Sequence, residues 1–218
     1  SKPDFPQQTI EQHDSSQKPV FPNDQQTLTP FIQPPVNEVV GRDRLVDEVI
    51  GDLNAGKVVQ LWGMPGVGKS TLAAYIGSKL DKPKGGFLLD VRTLFSSGAA
   101  QSSREGKLSL EILIRACVEP FGSSAGSNPL TEAQNLFKDS ERLLVLDNLD
   151  DADLAREFIT QVRPKSLIIT ARSNYQSSLG SYGISRKVEL ISLDESIQQF
   201  RNDSQVTSGF DSAIAEIC

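Results

Sequence analysis

Gly63-Met64-Pro65-Gly66-Val67-Gly68-Lys69-Ser70 is the stretch that decides how this chain folds. It satisfies the phosphate-loop pattern G-x-x-x-x-G-K-[ST] without a mismatch. The glycines let the backbone curl so that its N–H groups converge on an anion. From that position Lys69 reaches the β- and γ-phosphates of a nucleotide, and the Ser70 hydroxyl can bind Mg²⁺. A helix opening at this point would add the positive end of its dipole. The flanks agree. Val58–Trp62 is a short apolar strand leading in. Residues 70–80 lead out as a helix, with Leu72, Ile76 and Leu80 on one stripe.

Working outward, the same alternation repeats. A helix is expected over 43–54, with Leu45, Val49, Ile50 and Leu53 inward, and strands over 87–91, 143–147 and 167–170, with a fifth near 188–190. Helices are expected over 108–118, 130–138 and 151–162. Ser192-Leu193-Asp194-Glu195 reads as a capping box opening a further helix through Phe200, and another helix begins within 210–218. Strands that are apolar throughout, separated by helices, indicate a parallel sheet covered on both faces. The expected fold class is therefore α/β, a P-loop three-layer sandwich with a mostly parallel five-stranded sheet. Stretches 96–106 and 122–128 are rich in Ser and Gly and read as surface loops.

Residues 1–38 differ in character. They hold seven of the twelve prolines and seven glutamines, and read as a linker or disordered tail. This divides the chain into a tail (1–38), a nucleotide-binding domain (39–191) and the start of a further helical unit (192–218).

Composition bounds the function. The 218 residues carry a net charge of −6, which disfavours a protein gripping nucleic acid through bulk charge but does not oppose nucleotide binding. The two cysteines, Cys117 and Cys218, make neither a disulfide framework nor a zinc site, and a reduced cytoplasmic setting fits them. No apolar run approaches the ~20 residues of a membrane span. His13, the single histidine, lies in the polar tail.

Two more segments carry chemistry. Asp147 closes the apolar strand Leu143–Leu146, where a carboxylate stands beside the phosphate loop and can hold Mg²⁺. Asn148 follows, where a second carboxylate would polarise an attacking water; an amide cannot act as a base, so slow hydrolysis is expected. Asp150 and Asp151 could each supply the acid or simply cap the next helix. Arg172, just after the strand 167–170, brings a guanidinium to the same sheet edge, where it can sense or stabilise a γ-phosphate. Lys69, Asp147 and Arg172 are thus the candidate catalytic groups, with Ser70 and Asp147 the candidate Mg²⁺ ligands.

Taken in order, Val40-Gly41-Arg42, Leu61–Ala73, Leu143–Asp150, Leu167–Arg172 and Val188–Phe200 make the chain resemble the NB-ARC type of signal-transducing ATPases with numerous domains, the STAND class, over about residues 38–218. The resemblance implies that Val40 and Arg42 pack around adenine and ribose. Gly63, Gly66, Val67, Gly68, Lys69, Ser70 and Thr71 would hold the phosphates of ATP or ADP, and Arg172 would be the sensor. It implies a switch: ADP holds a closed state, and exchange for ATP allows copies of the protein to assemble in signalling. The family usually places a second Asp where Asn148 stands. It also continues into a Gly-Leu-Pro-Leu motif, a helical domain and a winged helix, so the chain reads as an excerpt whose grip on adenine is incomplete. The alternatives are a small-molecule or nucleotide kinase, which would need a lid with several arginines where 96–106 offers only Arg104; an AAA+ type ATPase, which would want an acid at Asn148; and a scaffold without nucleotide, against which Lys69, Ser70 and Asp147 stand.

Overall fold

The computed structural model describes residues 39–82, 85–96, 108–122, 127–139 and 141–204. The tail 1–38, nearly all of the 96–106 loop and the helix expected in 210–218 lie outside them. The elements in chain order are α1 (Asp43–Asn54), β1 (Val58–Trp62), α2 (Lys69–Lys79), β2 (Gly86–Asp90), α3 (Arg92–Ser96), α4 (Leu110–Val118), α5 (Pro129–Phe137), β3 (Leu143–Asp147), α6 (Ala152–Val162), β4 (Leu167–Ala171), α7 (Gln176–Leu179), β5 (Gly183–Lys187) and α8 (Leu193–Ser204).

The five strands form one sheet in the order β2-β3-β4-β1-β5, every pair parallel. All C-terminal strand ends therefore share one edge. Alternate residues of each strand feed two cores. Val59, Leu61, Leu143, Val145 and Ile168 face α1 and α2, packing on Val49, Leu53, Leu72 and Ile76. Leu144, Leu146, Leu167 and Ile169 face the other way, onto Leu113, Phe137, Phe158 and Val162 of α4–α6. Each such side chain taken fully out of water contributes about 1.5–3 kcal/mol. Burial on both faces is why these strands read as unbroken apolar runs.

Local chemistry sets the helix ends. The Asn128 side chain accepts from Leu130 and Thr131 N–H, with Pro129 in the first turn of α5. Asp151 accepts from Asp153 and Leu154 N–H at the start of α6. The capping box forms: Ser192 N–H and hydroxyl donate to Glu195, whose N–H donates back to Ser192 Oγ.

The fifth strand lies earlier than its apolar residues suggest, at Gly183–Lys187 rather than 188–190. As an edge strand it pairs with β1 alone. Its one-sided burial tolerates Ser185, Arg186 and Lys187, so no apolar run marks it. Arg186 is tied to Glu48 at 2.9 Å and Asp52 at 2.7 Å on α1. Val188 then donates one last bond to Trp62 O, at 2.7 Å.

Candidate functional site at the sheet edge

The phosphate loop leaves the C-terminal end of β1, between β4 and β5. Gly63, Gly66 and Gly68 have φ of +154°, +80° and +87°, a region that side chains with a Cβ rarely enter. Gly63 is also sterically required, since a Cβ there would stand 2.5 Å from Val188 O. Beyond Gly66 and Gly68 a Cβ would meet nothing within 4 Å. Those two glycines serve the backbone turn and leave the loop's concave side open.

Lys69 opens α2 and is 8% exposed. Its ammonium donates to the carbonyls of Gly63, at 2.9 Å, and Met64, at 2.8 Å, so it is folded back over the loop. Burial holds its pKa below the ordinary lysine value; Asp150 and Asp147 act against that shift, and Arg172 adds to it.

Asp147 is the hub of the second half of the site. Its Oδ1 accepts from the Ser70 hydroxyl at 2.7 Å and from the Thr170 hydroxyl; its Oδ2 accepts from Asn148 Nδ2 at 2.7 Å. Thr170 in turn accepts from Asn148 N–H at 2.9 Å, and Asn148 takes a left-handed φ of +60°. Ser70 and Asp147 thus bring two hard oxygens together at the mouth of the loop. Among the described residues no three His, Cys, Asp or Glu side chains converge as a metal cage. A pair of protein oxygens completed by substrate phosphates and water is the donor set Mg²⁺ takes, so these residues fit that ion.

Arg172 stands at the same edge, on the residue after β4. Its N–H donates to Asp150 Oδ1 at 2.7 Å, and its guanidinium pairs with Oδ2 at 3.2 Å. The guanidinium is 64% exposed, so an exposed pair of modest strength holds it, and it is free to be recruited by an anion. Lys69, Ser70, Asp147 and Arg172 are therefore brought together. Thr71 is exposed on the first turn of α2, and Val67 is buried in the loop.

The lead-in lies on the other flank. Arg42, 8% exposed, donates through one nitrogen to Val67 O and Glu189 O, both at 2.9 Å. It ties the loop to the segment after β5, that one nitrogen acting as a strut between the phosphate loop and the chain that leaves β5. Burial lowers its pKa, partly offset by Glu195. Val40 N–H donates to Gln199 of α8 at 2.9 Å. Gly41, Arg42, Leu190 and Glu195 border a cleft of about 420 Å³ beside the loop. Another cleft of about 470 Å³, lined by Lys57, Arg163 and Tyr182, opens at the opposite sheet edge, away from all of these groups.

Sequence reasoning missed Thr170, which orients Asp147, and Gln60. The Gln60 amide donates to Ser173 O at 2.8 Å and accepts from Tyr175 N–H at 3.2 Å, anchoring the loop that carries Arg172. Tyr175 adds a bond to Leu149 O at 2.9 Å, and burial raises its pKa. The signal was present in each case: a polar residue inside an otherwise apolar buried strand.

Comparison with known proteins bears on the family and the fold. The family model described as NB-ARC domain matches residues 42–210. No curated protein sequence matches. Among solved structures the chain is similar to the Walker-type ATPase of Pyrococcus abyssi, with 16% identity and a TM-score of 0.56 over 85% of this chain and 64% of that one. It is also similar to a STAND protein with a tetratricopeptide repeat sensor from Pyrococcus horikoshii, with 18% identity and a TM-score of 0.48 over 86% of this chain and 28% of that one. This chain spans only part of each neighbour. A phosphate loop after β1, a carboxylate closing β3 and an all-parallel five-stranded sheet, in a chain matched by that model over residues 42–210, place this chain in the NB-ARC domain family of P-loop nucleotide-binding ATPase domains.

Proposed function

We propose that this domain is an ATP/ADP switch that binds Mg²⁺–nucleotide at the Gly63–Thr71 loop, hydrolyses ATP slowly and controls assembly of copies of its full-length protein in signalling. The observation that carries the reading is the convergence of Lys69, the Ser70–Asp147 pair and Arg172 on one sheet edge. Lys69 exchanges its two carbonyls for the β- and γ-phosphates. Ser70 and Asp147 hold Mg²⁺, which neutralises phosphate charge when bound. Arg172 leaves Asp150 for the γ-phosphate, so it distinguishes ATP from ADP. Asn148 provides no base, hence the slow turnover.

The switch itself requires differential affinity for two states. Arg42 and Val40 support one route: they join the phosphate loop to Glu189 and α8, the elements leading out of the domain. A change in the loop is thereby felt by α8. Among the described residues no helix is long and apolar enough to cross a membrane, and a cytoplasmic setting is part of the proposal.

Titration calorimetry with ADP and ATP, with and without Mg²⁺, tests the reading. Binding that requires Mg²⁺ for ATP and disappears in Lys69→Ala supports it. Nucleotide binding unaltered by Lys69→Ala would sink the site assignment.

A further inference from the structure

We propose that Gln60 and Tyr175 are positioning residues for Arg172: they fix the backbone of its loop, so that the guanidinium can exchange Asp150 for a γ-phosphate without the loop reordering. The inference rests on the reading of Arg172 as the group that distinguishes ATP from ADP. Gln60 lies on β1, paired with Ile169 of β4 on one side and Ser185 of β5 on the other. It is wholly buried, an amide among Val58, Val59, Leu61 and Trp62. A buried amide is costly unless its polar atoms are bonded. Its Nε2 donates to Ser173 O at 2.8 Å, and its Oε1 accepts from Tyr175 N–H at 3.2 Å and from the Ser185 hydroxyl. One side chain thereby pins both ends of Ser173–Tyr175, the stretch that directly follows Arg172.

Tyr175 closes the arch. It is buried, and its hydroxyl donates to Leu149 O at 2.9 Å. Burial first, and the Asp150 charge second, raise its pKa, so the phenol stays a donor. Leu149 N–H in turn donates to Thr170 O at 3.0 Å, and Arg172 N–H donates to Asp150 at 2.7 Å. The backbone of Arg172 is therefore held on both sides. Its side chain is not: the guanidinium is 64% exposed and meets Asp150 in one pair at 3.2 Å, which costs little to open. A fixed backbone under a releasable guanidinium is preorganisation. The loop is ordered when the domain folds, so nucleotide binding does not carry that entropy cost.

Filling the core does not require these two side chains. Leucine at 60 would suit the apolar strand, and phenylalanine at 175 would occupy the same space as the tyrosine ring. Neither could bond to Ser173, the Tyr175 N–H or Leu149. Apart from the Ser185 contact, every polar atom of the pair is used on the stretch after Arg172 or on Leu149, the neighbour of Asp150.

The test is a double-mutant cycle in the intact 218-residue chain, with thermal melts confirming folding. Calorimetry reads the affinities for ADP and for the β,γ-imido analogue of ATP, both with Mg²⁺, and their ratio is compared across variants. Arg172→Ala should lower the preference for the ATP analogue by about tenfold or more. Tyr175→Phe should lower it by roughly three- to tenfold, Gln60→Leu at least as much, and ADP affinity should stay within about twofold in both. In the Arg172→Ala background Tyr175→Phe should lower the preference no further, because the residue acts through Arg172. A Tyr175→Phe protein whose melting temperature falls while its preference is unchanged overturns the inference. So does a loss of equal size with Arg172 already removed. Tyr175→Phe deletes one hydroxyl and decides the matter whether or not Gln60→Leu folds. A preference unchanged in Arg172→Ala itself overturns the sensor reading, and the inference with it, before Tyr175 is touched.

Discussion

Arg42→Ala separates two roles for this arginine, a contact to adenine and ribose and a strut under the phosphate loop. In the structure Arg42 is buried, and one nitrogen serves Val67 O and Glu189 O at 2.9 Å each. A charge-assisted bond of this kind contributes about 1.5–3 kcal/mol; the Val67 bond is buried, and the Glu189 bond, partly wet, belongs at or below the low end. The substitution does not touch the first turn of α1, because Val46 N–H bonds to the Arg42 backbone carbonyl. Relief of the guanidinium's own desolvation offsets part of the loss. The net effect is a destabilisation of about 2–4 kcal/mol. For a domain of this size that is about 4–16 °C in Tm. The assay is a thermal melt followed by circular dichroism, in the absence of nucleotide and again with saturating ADP. A strut predicts the full loss without nucleotide, and Arg42→Lys should restore only part, since the lysine stem is one bond shorter and its ammonium falls short of the position from which Nη2 reaches both carbonyls. A nucleotide-free Tm within about 1 °C of wild type, together with a weakened ADP affinity, would refute the strut and return Arg42 to the base.

Gly63→Ala should lose about 1–3 kcal/mol and most nucleotide affinity, because its Cβ meets the Val188 carbonyl at 2.5 Å and a backbone atom cannot swing aside; urea denaturation and calorimetry check both. Thr170→Val removes the hydroxyl that donates to Asp147 and accepts from Asn148 N–H, so about 1–3 kcal/mol of stability and about tenfold in Mg²⁺ dependence of ATP binding should go. Lys69 gives a pH signature. Its folded pKa lies below its ordinary 10.5, so between the two values the unfolded chain binds more protons and stability rises with pH. Lys69→Met should flatten that alkaline rise in denaturation midpoints, and an unchanged slope would assign it elsewhere. Asp90 gives the opposite window. Its carboxyl is held below the usual range, first by the side-chain bond to Arg92, so its contribution is present above the ordinary value of 3.8 and lost as pH falls through the lower folded value. Asp90→Asn should shrink the acid-side loss of stability.

Elements buried on two faces were the legible ones. β1, β3 and β4 announce themselves because each lies between two strands and under helices on both sides, so every residue position selects for apolar side chains. β2, at the opposite edge, still shows the apolar run Phe87–Leu89, whereas β5 was displaced because its own residues Ser185, Arg186 and Lys187 are polar, and the short helices α3 and α7 have too few residues to show a period. Among the candidate site residues, Lys69, Ser70, Asp147 and Arg172 were legible because each follows a strand end or sits in the loop pattern. Thr170 and Gln60 were overlooked although each stands as a polar residue in an apolar buried strand, because what each holds, Asp147 for one and the Ser173–Tyr175 loop for the other, lies elsewhere in the sequence.

The sequence alone determined the layered α/β scaffold and the phosphate loop, because both follow from local rules: apolar runs that need burial, glycines that admit positive φ, and a lysine and serine at fixed spacing. The tertiary structure decided which side chains meet. Strand order β2-β3-β4-β1-β5 is a property of long-range pairing. It sets Asp90 beside Asp147, stretches Ser70 across to that same carboxylate 77 residues away, and draws Arg42 under the loop to Glu189, 147 residues on. Contacts at such separations carry no periodicity that a sequence can display; they exist only once the sheet has closed its strands into one edge.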